Sequence, residues 1–212
     1  MTIPPDFKKA TPDYAREKIT KFETDNRHIE SALTQLTNTF RKNESLPHVL
    51  LKVAAINSLY STQIYAVYKT AERIVACNID HDLDCGSTEV VDKIAWVQLV
   101  SADGDAKQRR NYSFATKYCS WHNQDRYPMY DTRVDKCLRA YQQLEQFTEN
   151  EFTQDDLCNY QTLREVVDAF RRKYLDGFSY KQTDMFLFQL GNDYFYSAPP
   201  TSSATPPPQP AR

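Results

Sequence analysis

Glycine is scarce in this chain, with only 4 among 212 residues. The tight turns of sheet proteins and the phosphate-binding loops of nucleotide-binding sheets depend on glycine, because it adopts backbone conformations that other residues avoid. Apolar residues also recur at three- and four-residue spacing along most of the sequence, which is typical of helices. We therefore predict an all-α fold of eight or nine helices, without strands.

The composition is that of one globular domain with a short appendage. Hydrophobic residues make up 41% of the chain, which is enough to bury a core without cross-links. From Ser197 onward the sequence is dominated by proline, serine, threonine and alanine and has no periodicity. We predict a helical domain over residues 1–196 and a disordered tail over residues 197–212.

Several classes of protein are disfavoured. No apolar run is long enough to cross a membrane, and the first ten residues do not resemble a secretory signal. The five cysteines lack a C-x-x-C pair and the four histidines are scattered, so we expect reduced thiols in the cytoplasm and no metal or organic cofactor. Phosphate-binding loops, dinucleotide-binding fingerprints, nucleophile elbows and zinc-protease motifs are also absent from the sequence.

Caps and prolines predict where the helices begin and end. Two helices are expected in succession, over about 12–26 and 28–41, followed by a nearly continuous apolar helix over 49–59 that we expect to be central. Later segments are expected as helices that begin at Ser61 or Thr62, at Ser87 (ending near Val100), and at Asn111, Asp131, Thr153 and Ser179, with an acidic loop over 78–86.

One predicted helix carries a lysine in an unusual setting. The segment from Asn111 to Asn123 has an apolar side, and Lys117 lies next to that side rather than opposite it. Burial weakens the preference of an amine for its charged form, and a neutral amine can attack a carbon centre or form a Schiff base. The alternative is that Lys117 extends along the apolar surface to solvent.

A loop of one proline and two tyrosines follows, over 126–131, and leads into the next helix. At the start of that helix, Asp131 would accept backbone N–H groups, which keeps a carboxylate ionised. Such an anion can stabilise a developing cation or accept a proton. The alternative is an ordinary helix cap. If the two helices pack together, Lys117 and Asp131 share one groove.

The last predicted helix places an acceptor beside an aromatic ring. Asp184 and Phe188 are four residues apart and therefore lie on one helix face. A carboxylate next to a flat ring is a suitable arrangement for holding a nucleobase. The alternative is that Phe188 belongs to the core and Asp184 to the surface.

Taken in order, these segments resemble the helix-hairpin-helix DNA glycosylase superfamily, and within it the 8-oxoguanine glycosylases of the archaeal type and their bacterial relatives. The resemblance is carried by Phe-Ala-Thr-Lys117-Tyr, Pro-Met-Tyr-Asp131-Thr-Arg-Val and Thr-Asp184-x-x-Leu-Phe188-x-x-Gly. The run over 49–62 resembles the central helix of that superfamily, which leads to a polar turn near the base. The resemblance implies a two-lobed helical fold with a central cleft.

The resemblance also implies a function. The chain would be a monomeric repair enzyme that binds double-stranded DNA containing a damaged base, flips that base out and excises an oxidised purine such as 8-oxoguanine. Lys117 would be the nucleophile that forms a Schiff base, and Asp131 the catalytic carboxylate; β-elimination can then nick the strand, which is AP lyase activity. The base would be contacted by Asp184, Phe188 and Asn57, and the phosphates by Lys107, Arg109, Arg110 and Arg133.

A second function remains open at this point, namely a non-catalytic helical module that binds DNA or a protein partner. The net charge of −2 and the sequence pI of about 6.1 favour it, because duplex-binding domains are usually basic. The segment 101–110 also contains a single glycine where the superfamily has a glycine-rich hairpin. The pairing of Lys117 with Asp131 favours the enzyme.

Overall fold

The computed structural model describes residues 2–100 and 106–196. Within these ranges the chain is mostly helical, with one short β-hairpin, which confirms the predicted class in its coarse form. In chain order the elements are α1 (Pro12–Thr39), α2 (Leu46–Leu59), α3 (Val67–Ala76), α4 (Asp80–Cys85), α5 (Glu89–Ala95), β1 (Trp96–Val100), β2 (Ala106–Arg110), α6 (Tyr112–His122), α7 (Thr132–Glu145), α8 (Gln154–Leu157), α9 (Tyr160–Tyr174), α10 (Tyr180–Gly191) and a π-helical turn (Asn192–Tyr196). The tail predicted over residues 197–212 lies outside the described residues.

The helix at the centre of the fold is α6. Nine of its residues, Tyr112 and Phe114 to Trp121, are buried, and the helix packs against α1, α2 and α5. The apolar run of α2, which the sequence predicts to be central, instead buries one face and leaves Leu51 53% exposed. The sequence pattern fails here because α6 contains small polar residues, such as Thr116 and Ser120, that are buried nonetheless.

The first helix is continuous, although the sequence predicts a break near Asn26. Residues 12–39 form one helix of 28 residues. Asn26 does not end it, because its side-chain amide donates to the carbonyl of Phe22 one turn earlier and the backbone remains helical. The long helix packs against α10 and crosses towards α2 and α6, so it forms one wall of the molecule.

A β-hairpin replaces the end of a predicted helix. The helix expected from Ser87 to about Val100 ends at Ala95, and β1 then pairs antiparallel with β2, with Trp96 opposite Arg110. The run Trp-Val-Gln-Leu-Val consists largely of aromatic and branched residues that favour strands. Its partner strand carries mostly charged residues, so no apolar pattern reveals it in the sequence.

The segment before α3 and the acidic segment that contains α4 also differ from prediction. The helix expected to begin at Ser61 or Thr62 begins at Val67, after a loop in which Ser61 and Gln63 have positive φ of 50° and 58°. The acidic loop expected over 78–86 contains α4. Asn57 holds the loop after α2 in place, because its side-chain oxygen accepts from the Ile64 N–H and its amide donates to the Ile64 carbonyl.

The packing of α7 against α10 brings two predicted site segments together, and it depends on Gly191. A β-carbon at Gly191 would lie 2.6 Å from Cβ and 3.0 Å from Cα of Arg133. Real β-carbons do not approach other atoms so closely, so only glycine permits this contact. The approach places the first turn of α7 beside the last turns of α10.

We predict that Gly191→Ala destabilises the fold. Alanine is the better helix former by about 1 kcal/mol, so propensity alone would raise stability. The added methyl group must instead separate α7 from α10, and overpacking of this kind costs about 1–3 kcal/mol. Urea unfolding of both proteins measures the difference. A variant as stable as the wild type, or more stable, would show that the contact is not tight.

Candidate active site

A buried loop lies between α6 and α7 and organises the site. Residues 127–130 are all buried, although they form no regular structure. Side chains from other elements bind their backbone groups: Thr116 accepts from the Tyr130 N–H at 3.0 Å, and Tyr160 donates to the Pro128 carbonyl at 3.1 Å. The loop is therefore fixed to α6 on one side and to α9 on another.

Lys117 projects from α6 onto this loop. Its ammonium is 2% exposed and donates to the Ser113 hydroxyl at 2.7 Å, to the Tyr130 carbonyl at 2.8 Å and to Asp131 at 3.3 Å. These three acceptors match the three N–H donors of a charged lysine. Burial lowers the pKa of Lys117 even though the nearby Asp131 carboxylate acts in the opposite direction. The amine is thus buried, held in place and more readily deprotonated than a surface lysine.

Asp131 caps α7 and also faces Lys117. One carboxylate oxygen accepts from the Arg133 N–H at 3.0 Å, which makes Asp131 the helix cap that the sequence predicts. Burial alone would raise its pKa, but the charge of Lys117, the Arg133 N–H and the Arg133 guanidinium outweigh it and hold the pKa below the ordinary value. The carboxylate is therefore ionised at neutral pH. Asp131 therefore caps α7 and pairs with Lys117 at the same time.

Asp184 reaches the same loop from α10. Its Oδ2 accepts from the Met129 N–H at 2.9 Å, whereas Oδ1 is buried and has no hydrogen-bond partner among the described residues. Burial raises the pKa of Asp184 to about 7, although the Met129 N–H and the charges of Lys181 and Lys117 lower it. An unpartnered buried oxygen is costly, so this atom is available to a ligand.

The three charged residues line one cavity. It has a volume of about 220 Å³, which is less than the roughly 300–1,000 Å³ of sites for drug-sized ligands, so it suits a small molecule. The wall comes from α1, the end of α2, α6, α7 and α10; besides Lys117, Asp131 and Asp184 it contains Phe22, Asn26, Ile29, Glu30, Leu59, Tyr60, Ser61, Met129, Arg133, Val134, Lys181, Met185 and Phe188.

Phe188 lies one turn from Asp184 on the cavity wall, as its spacing predicts. The Arg133 guanidinium stands 4.8 Å from its ring centre, and Phe22 meets the ring edge-on at 5.7 Å. Arg133 itself is held by Asp131, at 3.3 Å, and by Asn192. Phe188 is therefore half-buried and fixed, and Arg133 helps to build the cavity instead of extending to solvent.

The remaining predicted residues lie elsewhere. Asn57 does not line the cavity, because its side chain is used to hold the loop after α2. Lys107, Arg109 and Arg110 are on β2: Lys107 is exposed, Arg109 donates to the Gln63 carbonyl at 3.2 Å, and Arg110 pairs with Asp92 at 2.8 Å. The structure therefore separates these basic residues from the cavity.

Two sets of wall residues were not predicted, namely four residues of α1 and Lys181 of α10. Four residues of α1 reach the cavity, and among them Glu30 pairs with Lys181 of α10 at 2.7 Å. Lys181 also stands 4.5 Å above the Trp121 ring, while the Trp121 N–H donates to the Tyr60 hydroxyl at 3.1 Å. Only the position of Lys181 within the Asp184 segment could have drawn attention to it. The α1 residues carry no local signal, because their role arises from packing.

Comparison with known proteins shows what the chain is similar to. Residues 14–126 match the family model HI_0787_N, which describes an N-terminal domain. The match covers more than half of the 212 residues. The chain belongs to the HI_0787_N family. The matched region includes Lys117 and ends before Asp131. An uncharacterized protein of Haemophilus influenzae is 34% identical over 148 residues, which are 69% of this chain and 68% of that protein. No solved structure matches the chain.

The described residues contain neither a cluster suited to a metal ion nor a helix suited to crossing a membrane. Within residues 2–100 and 106–196, no three histidine, cysteine, aspartate or glutamate side chains come together in a way that could hold a metal ion. Among the helices of the same ranges, none is both long enough and apolar enough to cross a membrane.

We predict that Asp184 makes stability depend on pH between about 4 and 7. The unfolded carboxyl ionises near its ordinary value of 3.8, whereas the folded one ionises near 7. Across this window the folded chain holds a proton that the unfolded chain has released. Stability therefore falls as the pH rises, by at most about 1.4 kcal/mol per pH unit. Asp184→Asn keeps an acceptor for Met129 and removes the titration, so its stability relative to wild type should increase from pH 5 to pH 7 in urea unfolding.

The matched control is Asp156→Asn. Asp156 is an exposed capping residue whose pKa is lowered by hydrogen bonds from Thr153, so it is ionised in both states above pH 5. Its effect on the free energy of unfolding should be constant between pH 5 and pH 7. If Asp184→Asn also shows a constant difference, the folded carboxyl does not titrate in this range.

Proposed function

We propose that the chain is a DNA N-glycosylase in which Lys117 attacks the sugar of a damaged nucleotide, within a two-lobed helical fold whose cleft includes the cavity described above. One observation carries this proposal. A buried amine with a lowered pKa lies 3.3 Å from an ionised carboxylate at the wall of a small cavity. Paired groups whose environments perturb their pKa values are typical of catalytic sites.

The first step requires a neutral amine. Asp131, or water beside it, takes one of the three ammonium protons of Lys117, and the nitrogen gains a lone pair. This lone pair forms a bond to C1′ of the nucleotide, while the electrons of the glycosidic bond leave with the base. The proton held by Asp131 passes to the departing base, and the carboxylate, charged again, stabilises the positive charge that develops on the sugar.

The covalent product leads to a Schiff base. Opening of the sugar ring converts the amine adduct into an imine between Lys117 and C1′, with no oxidant or reductant needed. β-Elimination can then release the 3′ phosphate and nick the strand. Alternatively, water hydrolyses the imine and regenerates the lysine. The chemistry needs only protons, water and the two side chains.

The cavity wall supports a purine as the base. Phe188 and the aliphatic wall offer apolar contact to a flat ring, and the unpartnered oxygen of Asp184 offers a directional polar contact. Because the pKa of Asp184 is about 7, the carboxyl can be protonated and donate, or ionised and accept. An oxidised purine such as 8-oxoguanine presents both N–H groups and oxygens at its edge.

The DNA phosphates would meet the hairpin, which is joined to the cavity wall through the loop after α2. Lys107 and Arg109 lie on β2, and Arg109 is bound to Gln63 in the loop whose first residues line the cavity. Arg110 and Arg133 are less suited, because Asp92 and Asp131 already pair with them.

A non-catalytic binding module is the second candidate, and one observation favours it. Lys117 and Asp184 both satisfy backbone groups of the buried loop, so their burial has a structural explanation without chemistry. A neutral side chain could perform this task at lower cost, however, because burying charges requires desolvating them. The retention of charge beside a cavity supports the enzyme.

We predict that borohydride traps the protein on DNA that contains an excisable oxidised base. The hydride reduces the imine to a stable secondary amine, so a covalent complex should appear on denaturing gels. Lys117→Gln should abolish it. The matched control is Lys181→Gln, which removes another lysine of the same cavity; trapping should persist, because that amine is held by Glu30 at 2.7 Å. If a covalent complex still forms with Lys117→Gln, the nucleophile is another residue. If the wild type forms no covalent complex with any lesion, the binding module is favoured.

We predict that Asp131→Asn slows base excision by about 10²–10⁴-fold, the usual effect of losing a catalytic acid or base. Asparagine is as good a helix cap as aspartate, so the start of α7 should be preserved. Single-turnover excision rates and melting curves, measured together, separate chemistry from folding. An equal rate in the variant would limit Asp131 to its capping role.

A further inference from the structure

A groove separate from the cavity runs between α3 and the hairpin. Its volume is about 240 Å³. Its lining combines two cations, two amides, an indole and one valine: Lys69, Arg73, Trp96, Val97, Gln98 and Gln108. None of these residues lines the cavity of Lys117, and the resemblance stated above assigns none of them.

Trp96 is the dominant feature of the groove. The strand register places Trp96 and Gln98 on one face of the hairpin, while Val97 between them is buried on the other. Trp96 is 41% exposed, and the Arg110 guanidinium stands 5.8 Å from its ring. Arg110 contacts the indole, and the part of the ring that remains exposed presents a flat aromatic surface to ligands.

The charges at the groove suit a polyanion. Lys69 pairs with Glu72 at 2.8 Å but its side chain is 60% exposed. Arg73 donates through Nε to the Lys93 carbonyl at 3.0 Å, and no carboxylate of the described chain pairs with it. No carboxylate lines the groove, although the whole chain has a net charge of −2. Lys69 and Arg73 are therefore the charged groups of the lining, and Glu72 offsets Lys69 from outside it.

Two amides complete the surface. Gln98 and Gln108 face each other across the ladder, so their side chains emerge side by side on the outward face. An amide carries both a donor and an acceptor, which is the pattern needed to pair with the edge of a base. Neither amide forms a hydrogen bond with a described side chain or loop in the structure, so both are free to meet a ligand.

We propose that this groove binds an unpaired DNA strand, with one base stacked on Trp96 and neighbouring phosphates at Lys69 and Arg73. This proposal rests on the proposed function, because it takes DNA as the ligand. It adds the substrate class, which is DNA with unpaired bases beside the lesion. Intact duplex hides the faces of its bases, so it cannot use the indole. An acidic peptide would use the cations but leave the indole and the amides without partners.

The chain connects the groove to the site. β2 is followed directly by α6, and the Asn111 N–H between them donates to the Ala95 carbonyl at 2.8 Å. A strand bound along the hairpin therefore lies near the start of the helix that carries Lys117.

The test titrates the full chain with an undamaged single strand of about 12 nucleotides, within the range of single-strand site sizes. Stacking should quench the fluorescence of Trp96. Trp96→Phe should keep most of the affinity and lose the quenching, since the remaining Trp121 is 4% exposed. Trp96→Leu should weaken binding about 5- to 150-fold, the effect of losing one stacked base. Joint substitution of Lys69 and Arg73 by glutamine should flatten the log–log salt dependence by about 0.7 for each phosphate contact.

Leu144→Ala is the matched control, since it removes another exposed apolar side chain, on α7, and should leave affinity unchanged. The proposal is wrong if Trp96→Leu binds like the wild type, if matched duplex quenches Trp96 as strongly as the single strand, or if poly-glutamate of equal charge does so. Undamaged DNA contains no base to excise, so this titration tests strand binding at the groove alone. Borohydride trapping at Lys117 tests the proposed chemistry, and either experiment can fail without the other.

Discussion

A buried loop can persist only if its backbone N–H and C=O groups find partners, and this constraint shapes the centre of the molecule. The buried loop over 127–130 lies between α6 and α10, and side chains of both helices bind its backbone. Thr116 and Lys117 reach it from α6, and Asp184 reaches it from α10. The same contacts fix the distance between the two helices. The loop therefore gathers polar groups at one point inside an apolar fold.

This clustering of polar groups around the loop explains the shifted pKa values in the cavity. Burial acts on all three charged groups, but each has different neighbours. Asp131 is kept ionised by Lys117 and by the first turn of α7, whereas Asp184 has one N–H partner and a pKa near 7. Lys117 shares its proton donors among three acceptors. Two carboxyl groups with opposite pKa shifts therefore share one small cavity with a buried amine.

The cavity and the proposed DNA surface share one stretch of chain, although α1, α2 and α10 complete the cavity and α3 completes the groove. Strand β1 follows α5, β2 leads into α6, and the loop and α7 follow in turn. Gly191 allows α10 to close the far side of the cavity against α7. Trp96 therefore precedes Lys117 along the chain, and Asp184 and Phe188 of α10 follow both.

The sequence by itself determined the helical class, the position of Lys117 beside an apolar face, the cap at Asp131 and the shared face of Asp184 and Phe188, because these follow from local spacing along single helices. Tertiary structure alone decided that α6 is central, that a hairpin follows Ala95, and that Asn57 holds a loop away from the cavity. It also decided that α1 forms a cavity wall. These features depend on contacts between distant segments, and local periodicity contains no information about which segments will meet.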